Sequence, residues 1–74
     1  MATEDIIATI TGTVVSVEVK VGDKVEEGDV LLYIESMKME NPIMTTVAGK
    51  VAEIKVVVKQ VVTTGQVLAV IETA

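Results

Sequence analysis

The residues with the most chemical promise in this 74-residue chain lie in one run, Glu35-Ser36-Met37-Lys38-Met39-Glu40. A lysine stands between two methionines, with Glu35 before the trio and Glu40 after it. A primary amine attacks activated acyl groups, so an accessible lysine is a place where an acyl group can be attached. Apolar side chains beside it, at what reads as a chain reversal, are costly in water unless something recognises them. Methionine is soft and polarizable, which suits a surface used by several partners in turn. The same run has a plain reading as well. Lys38 can be an ordinary solvated turn lysine, and Met37 and Met39, two apart and so on one strand face, can be core filler. Nothing in the chain can activate the amine. There is no histidine and no cysteine, hence no imidazole base, no thiolate and no ordinary zinc or copper site. If Lys38 is an acyl acceptor, its base lies outside this chain.

Composition narrows the class further. A net charge of −5 and a single aromatic, Tyr33, argue against nucleic acid, which calls for a basic face and usually for stacking rings. No apolar run approaches the length of a membrane span. The opening MATEDII carries two acids and no basic residue, so it is not a secretory signal, and a cytoplasmic address follows by default. The length allows one domain. Without a disulfide, a domain this small needs an economical, symmetric core, because it buries only about 60% of its unfolded surface. Valine and isoleucine number 23 and threonine 9, which favours strands over helices. The composition alone points to a non-catalytic, all-β module.

The elements that must hold Lys38 emerge from an internal repeat. Shifted by 37 residues, Ala8–Glu35 falls on Thr45–Glu72. Identical pairs include Gly12/Gly49, Val14/Val51, Val19/Val56, Val25/Val62, Gly28/Gly65, Val30/Val67, Leu31/Leu68, Ile34/Ile71 and Glu35/Glu72. Alternation repeats too: Val15, Val17, Val19 and Val21 in the first copy, and Ala52, Ile54, Val56 and Val58 in the second, read as the inward face. The expected strands are 6–10, 13–20, 24–26, 30–36, 39–46, 50–58, 61–63 and 67–72. Residues 1–5 then form a short N-terminal extension and 6–72 the domain. Neither copy can cover its own apolar face, so two copies related by a quasi-two-fold axis should form a flattened β-barrel or sandwich of about eight strands. Only residues 36–44 join the copies. Lys38 therefore projects from a tight connector, with the chain ends on the other side of the molecule.

On these residues the chain resembles the biotinyl/lipoyl attachment domain family, a barrel-sandwich hybrid fold, and within it the thumbless biotin carboxyl carrier domains. The resemblance covers about residues 6–72. It rests on GTVVSVEVKVGDKVEEGDVLLYIESMKMENPI and on the repeated GKV and TGQVLAVIE. It implies that Lys38 carries biotin through an amide on its side-chain nitrogen. It implies that Glu35, Ser36, Met37, Met39 and Glu40 are read by a biotin protein ligase or other partners. It further implies a swinging arm that shuttles a carboxyl group between a biotin carboxylase or decarboxylase and a carboxyltransferase, the domain itself doing no bond chemistry. A lipoyl-type carrier is the nearest alternative, but there the lysine usually follows Asp and precedes Ala. An unmodified hairpin interaction module is the alternative of another class.

The sequence departs from the family pattern in places. Ser36 stands where Ala is usual, and no Ala-Pro precedes Gly12 or Gly49. The Gly22-Asp23 corner is replaced by Lys59-Gln60 in the second copy. Gly and Asp ease tight reversals, so the Lys59-Gln60 corner is expected to be looser or differently shaped. The glycines read as structural, and Glu26, Glu27 and Asp29 as a solvated edge that discourages strand pairing. Pro42 should mark a strand edge or exposed bond. Glu35 and Glu72 coincide in the repeat, so a structural role is as open for Glu35 as recognition.

Overall fold

The computed structural model describes residues 2–73. Eight strands alternate with short turns: β1 (Ala2–Ile7), β2 (Gly12–Val17), β3 (Lys24–Val25), β4 (Val30–Ser36), β5 (Met39–Met44), β6 (Gly49–Ile54), β7 (Val61–Val62) and β8 (Val67–Thr73). They form two four-stranded sheets with orders β1-β8-β6-β3 and β5-β4-β2-β7. The sheets do not close on each other, so the arrangement is the sandwich rather than the barrel. The repeat is exact at the level of topology. Exchanging β1 with β5, β2 with β6, β3 with β7 and β4 with β8 turns one sheet order into the other. Each copy lends its short strand to the other copy's sheet, which ties the halves together.

The core is built from repeat pairs. Val14 and Val51, Leu31 and Leu68, Ile34 and Ile71, Val25 and Val62, and Ile6 and Ile43 are all buried. Each such side chain contributes about 1.5–3 kcal/mol through loss of apolar surface from water. Gly12 and Gly49 are required by close approach. A Cβ at Gly12 would overlap the Glu35 carbonyl oxygen, and one at Gly49 would overlap that of Glu72.

Three expectations change. The first strand starts at Ala2 rather than at residue 6, because residues 2–5 pair with Thr73–Val70 on β8. The long strands end at Val17 and Ile54, and their inward phase is not continuous. Opposite β4, Val14 pairs with Ile34 but Ser16 pairs with Tyr33, leaving Val15 as an extra residue. Ala52 is the extra residue at the same place in β6. These bulges put Val14 and Val51 in the core along with the packed Val17, Val19, Ile54 and Val56, while Val21 and Val58 lie largely in water.

The third change concerns the corners, which have the same shape. Asp23 Oδ2 accepts from the Lys20 amide at 2.9 Å, and Gln60 Oε1 accepts from the Val57 amide at 3.1 Å. The Gly22 amide donates to the Val51 carbonyl, and the Lys59 amide to that of Val14. Gly22 has φ 97° and Lys59 φ 79°. Glutamine's longer chain reaches the same acceptor position, and Lys59 bears the left-handed strain that Gly22 avoids.

Candidate functional site

The hairpin between β4 and β5 gathers the predicted residues. Ser36 pairs with Met39, closing a two-residue loop of Met37 and Lys38. Both loop residues are left-handed, Met37 at φ 53° and Lys38 at φ 64°. That is a type I′ turn, whose twist matches the strands it joins. Asn-Gly is the inexpensive way to build such a turn. Holding a methionine and a lysine there costs about 1–2 kcal/mol per residue. Strain of this kind persists where the surrounding ladder imposes it, and it collects at functional sites.

The turn fixes what solvent sees. Met37 is 91% exposed and Met39 68%, so neither is core filler. Lys38 is exposed and belongs to no ion pair among the described residues, where the only pair is Lys55–Glu53 at 3.6 Å. An unpaired amine at the outermost point of a rigid loop is open to an acyl donor from a wide range of directions. Ser36, half-buried, sits at the base of the loop. Glu35 and Glu40 are directly opposite each other and exposed, with Thr13 on the far side of Glu35. Two carboxylates facing across a ladder repel. The fold gains nothing from this pair.

One residue of the site escaped the sequence reading. Asn41 pairs with Ile34 on the inward face, and its Nδ2 donates to the Ile34 carbonyl at 3.3 Å and to the Met39 carbonyl at 3.1 Å. It bridges the two strands just below the loop. The signal was a polar residue at an inward position of an alternating strand. Pro42 lies on β5, an outer strand, as expected of a residue without an N–H. Among the described residues no group of three or more His, Cys, Asp or Glu is placed to hold a metal ion, and no helix is long and apolar enough to cross a membrane.

This geometry fits a covalent biotin. The group needs one accessible primary amine, room around it and a rigid base from which the arm can swing, and the hairpin offers all three. Comparison with known proteins gives the same direction. A family profile described as "Biotin-requiring enzyme" matches residues 1–71. The gamma subunit of glutaconyl-CoA decarboxylase from Acidaminococcus fermentans is 62% identical over 37 residues, covering 50% of this chain and 26% of that one. Biotinylated protein TB7.3 of Mycobacterium tuberculosis is 46% identical over 41 residues, covering 55% of this chain and 58% of the relative. Among solved structures, the Kluyveromyces lactis urea carboxylase superposes with TM-score 0.92 at 35% identity, over 97% of this chain and 6% of that one. A single-chain, multi-domain long-chain acyl-CoA carboxylase gives 0.86 at 32% identity, over 92% and 7%. The chain thus spans only a part of each of these proteins.

Proposed function

The chain belongs to the biotin/lipoyl attachment family as a biotin carboxyl carrier domain, and from that premise we propose that Lys38 is the residue that carries the biotin. The observation that supports this most is the unpaired, exposed amine at the tip of a strained two-residue loop between two exposed methionines. When bound, biotin supplies a group that takes up and releases a carboxyl group. All else the chain does is positional. The Nζ of Lys38, once deprotonated, attacks an activated biotin acyl carbon. The C–N bond forms, the leaving group departs with its electron pair, and the proton goes to a base of the ligase. Met37 and Met39 offer apolar contact to the ligase, and Glu35, Ser36 and Glu40 offer polar contact. Asn41 keeps the loop's two strands in register.

The partners follow from this role: a biotin protein ligase, then a carboxyl-donating and a carboxyl-accepting site on biotin carboxylase, decarboxylase or carboxyltransferase subunits in the cytoplasm. The likeness to the glutaconyl-CoA decarboxylase gamma subunit favours an acyl-CoA decarboxylase as the parent system. Tethering raises the effective concentration of the carried group at both sites to the millimolar order for a short link.

The test is avidin capture after co-expression with biotin ligase. The native chain is expected to be captured and Lys38→Arg is not, with unchanged melting, since arginine keeps the charge but does not form the amide. Capture of the Lys38→Arg protein would overturn the assignment.

A further inference from the structure

A groove of about 590 Å³ runs between the free edges of the two sheets. One wall is β1, the outermost strand of its sheet, and the other is β5, the outermost strand of the second. The walls correspond through the repeat, Ile6 matching Ile43 and Ile7 matching Met44. Ile6 and Ile43 are each 4% exposed and underlie the groove, while Ile7 and Met44 are 47% and 48% exposed. Apolar side chains therefore lie half in water along edges that have no further strand partner.

Two differences between the walls decide what can dock. Pro42 on β5 has no N–H, so that edge cannot extend a ladder. β1 has no proline, and its outer N–H and C=O groups are open to another strand. Charge is the second difference. Glu4, Asp5 and Glu27 line the groove, and no lysine does among its described residues. A second copy of this chain is a poor occupant. It also carries a net charge of −5, and pairing β1 with β1 would set Glu4 and Asp5 against their own kind.

We propose that the β1 edge and its groove are a docking site for an extended segment of another protein that alternates lysine or arginine with aliphatic residues. The segment adds as a fifth strand beside β1. Alternation puts Glu4 and Asp5 on opposite faces of β1, so its basic side chains meet Glu4, with Glu27 across the groove, and its aliphatic ones cover Ile7 on the face of Asp5. The strand it adds to, β1, belongs to the sheet that does not contain the β4–β5 hairpin, and the β5 residues of the groove, Pro42 to Met44, stand at the end of β5 away from the Met37-Lys38 loop. A carrier held there keeps Lys38 free, and the inference stands apart from the assignment of Lys38.

The test is an NMR titration of the whole chain with a capped Lys-Val-Lys-Val-Lys-Val peptide. Saturable shifts are expected at the amides of residues 2–7 and 43–44, with binding weakened at least about tenfold between about 50 and 500 mM salt. The charge-neutralised Glu4→Gln/Asp5→Asn protein should bind about tenfold more weakly, as should a peptide N-methylated at alternate residues, which keeps its charges but cannot complete a ladder. A Glu-Val counterpart should not bind. Equal binding of the N-methylated peptide overturns the proposal. So do shifts confined to residues 23–29 or the hairpin, and so does an absence of saturable shifts. The peptide arm needs no variant and holds whatever the double substitution does to folding.

Discussion

The hairpin joining β4 to β5 and the open junction between β8 and β1 are the same place in the two copies of the repeat. Ser36 pairs with Met39 in one, and Thr73 with Ala2 in the other. One rung further in, Glu35 faces Glu40, and Glu72 faces Thr3. Both junctions are underlain by a glycine pressed against a glutamate carbonyl, Gly12 beneath Glu35 and Gly49 beneath Glu72. What the copies share is therefore what the sandwich needs: the ladder, the close glycine, the buried isoleucine. Of what they do not share, only the Asn41 bridge has an architectural use, in tying β4 to β5. The hairpin alone carries the strained Met37-Lys38 turn, the exposed methionines, the Asn41 bridge and the paired carboxylates. Glu35 shows how the comparison sorts roles. Its counterpart Glu72 points to a backbone requirement at that position, while only the hairpin sets a second carboxylate opposite. A duplicated fold thus serves as its own control, and the differences between the copies gather at the end where we propose that biotin is attached.

The sharpest way to break this comparison is at the shared glycines. Gly12→Ala and Gly49→Ala should each destabilise by about 2–4 kcal/mol, since backbone must move to admit the Cβ. Denaturant melts would read both. If one cost were near zero, the two junctions would not be equivalent supports.

A smaller effect sharpens the comparison at the corners. Gly22 and Lys59 hold the same left-handed conformation, and open space surrounds the Gly22 Cα. Lys59→Gly should therefore stabilise by about 1 kcal/mol and Gly22→Ala destabilise by a similar amount. For a chain this short, 1 kcal/mol moves the melting temperature by about 4–8 °C. Opposite signs in the two thermal melts are the expected outcome. Matching signs would mean that the corners differ in more than their residues.

The smallest effect concerns the carboxylate pair. Glu40→Thr makes the hairpin rung like its counterpart, Thr3 opposite Glu72. Relief of repulsion should stabilise by on the order of 0.3 kcal/mol in low salt and fade as salt rises. Biotinylation by the ligase should slow in the same variant. A gain in stability with an unchanged ligation rate would remove Glu40 from the recognised surface.

Much of this was legible in the sequence because duplication prints the fold twice. The glycine pairs, the buried Leu31/Leu68 and Ile34/Ile71 pairs and the short connector around Lys38 needed only the shift of 37 residues to appear. The bulges at Val15 and Ala52 were not legible. In a run of valines an extra residue leaves no mark, and the alternation seemed to continue through it. The start of β1 was hidden because Ala2–Asp5 form an outer strand with water on most sides, so no apolar period announces it. The likeness of the corners was hidden by chemistry: glutamine at position 60 performs aspartate's hydrogen bond, and lysine tolerates a conformation that glycine would ordinarily fill. Asn41 was missed because its work is a bridge between two carbonyls that only the folded hairpin brings together.

The central claim is that one lysine, singled out by its place on the closed hairpin, takes the biotin. The chain has six lysines, and Lys50 and Lys24 pair with each other across β6 and β3 in the opposite sheet. Peptide mapping by mass spectrometry after exhaustive reaction with biotin ligase tests the claim directly. The account predicts one biotin per chain, all of it on Lys38 and none on Lys20, Lys24, Lys50, Lys55 or Lys59; biotin on any of those five, or a Lys38 left unmodified while the chain gains mass, would contradict it.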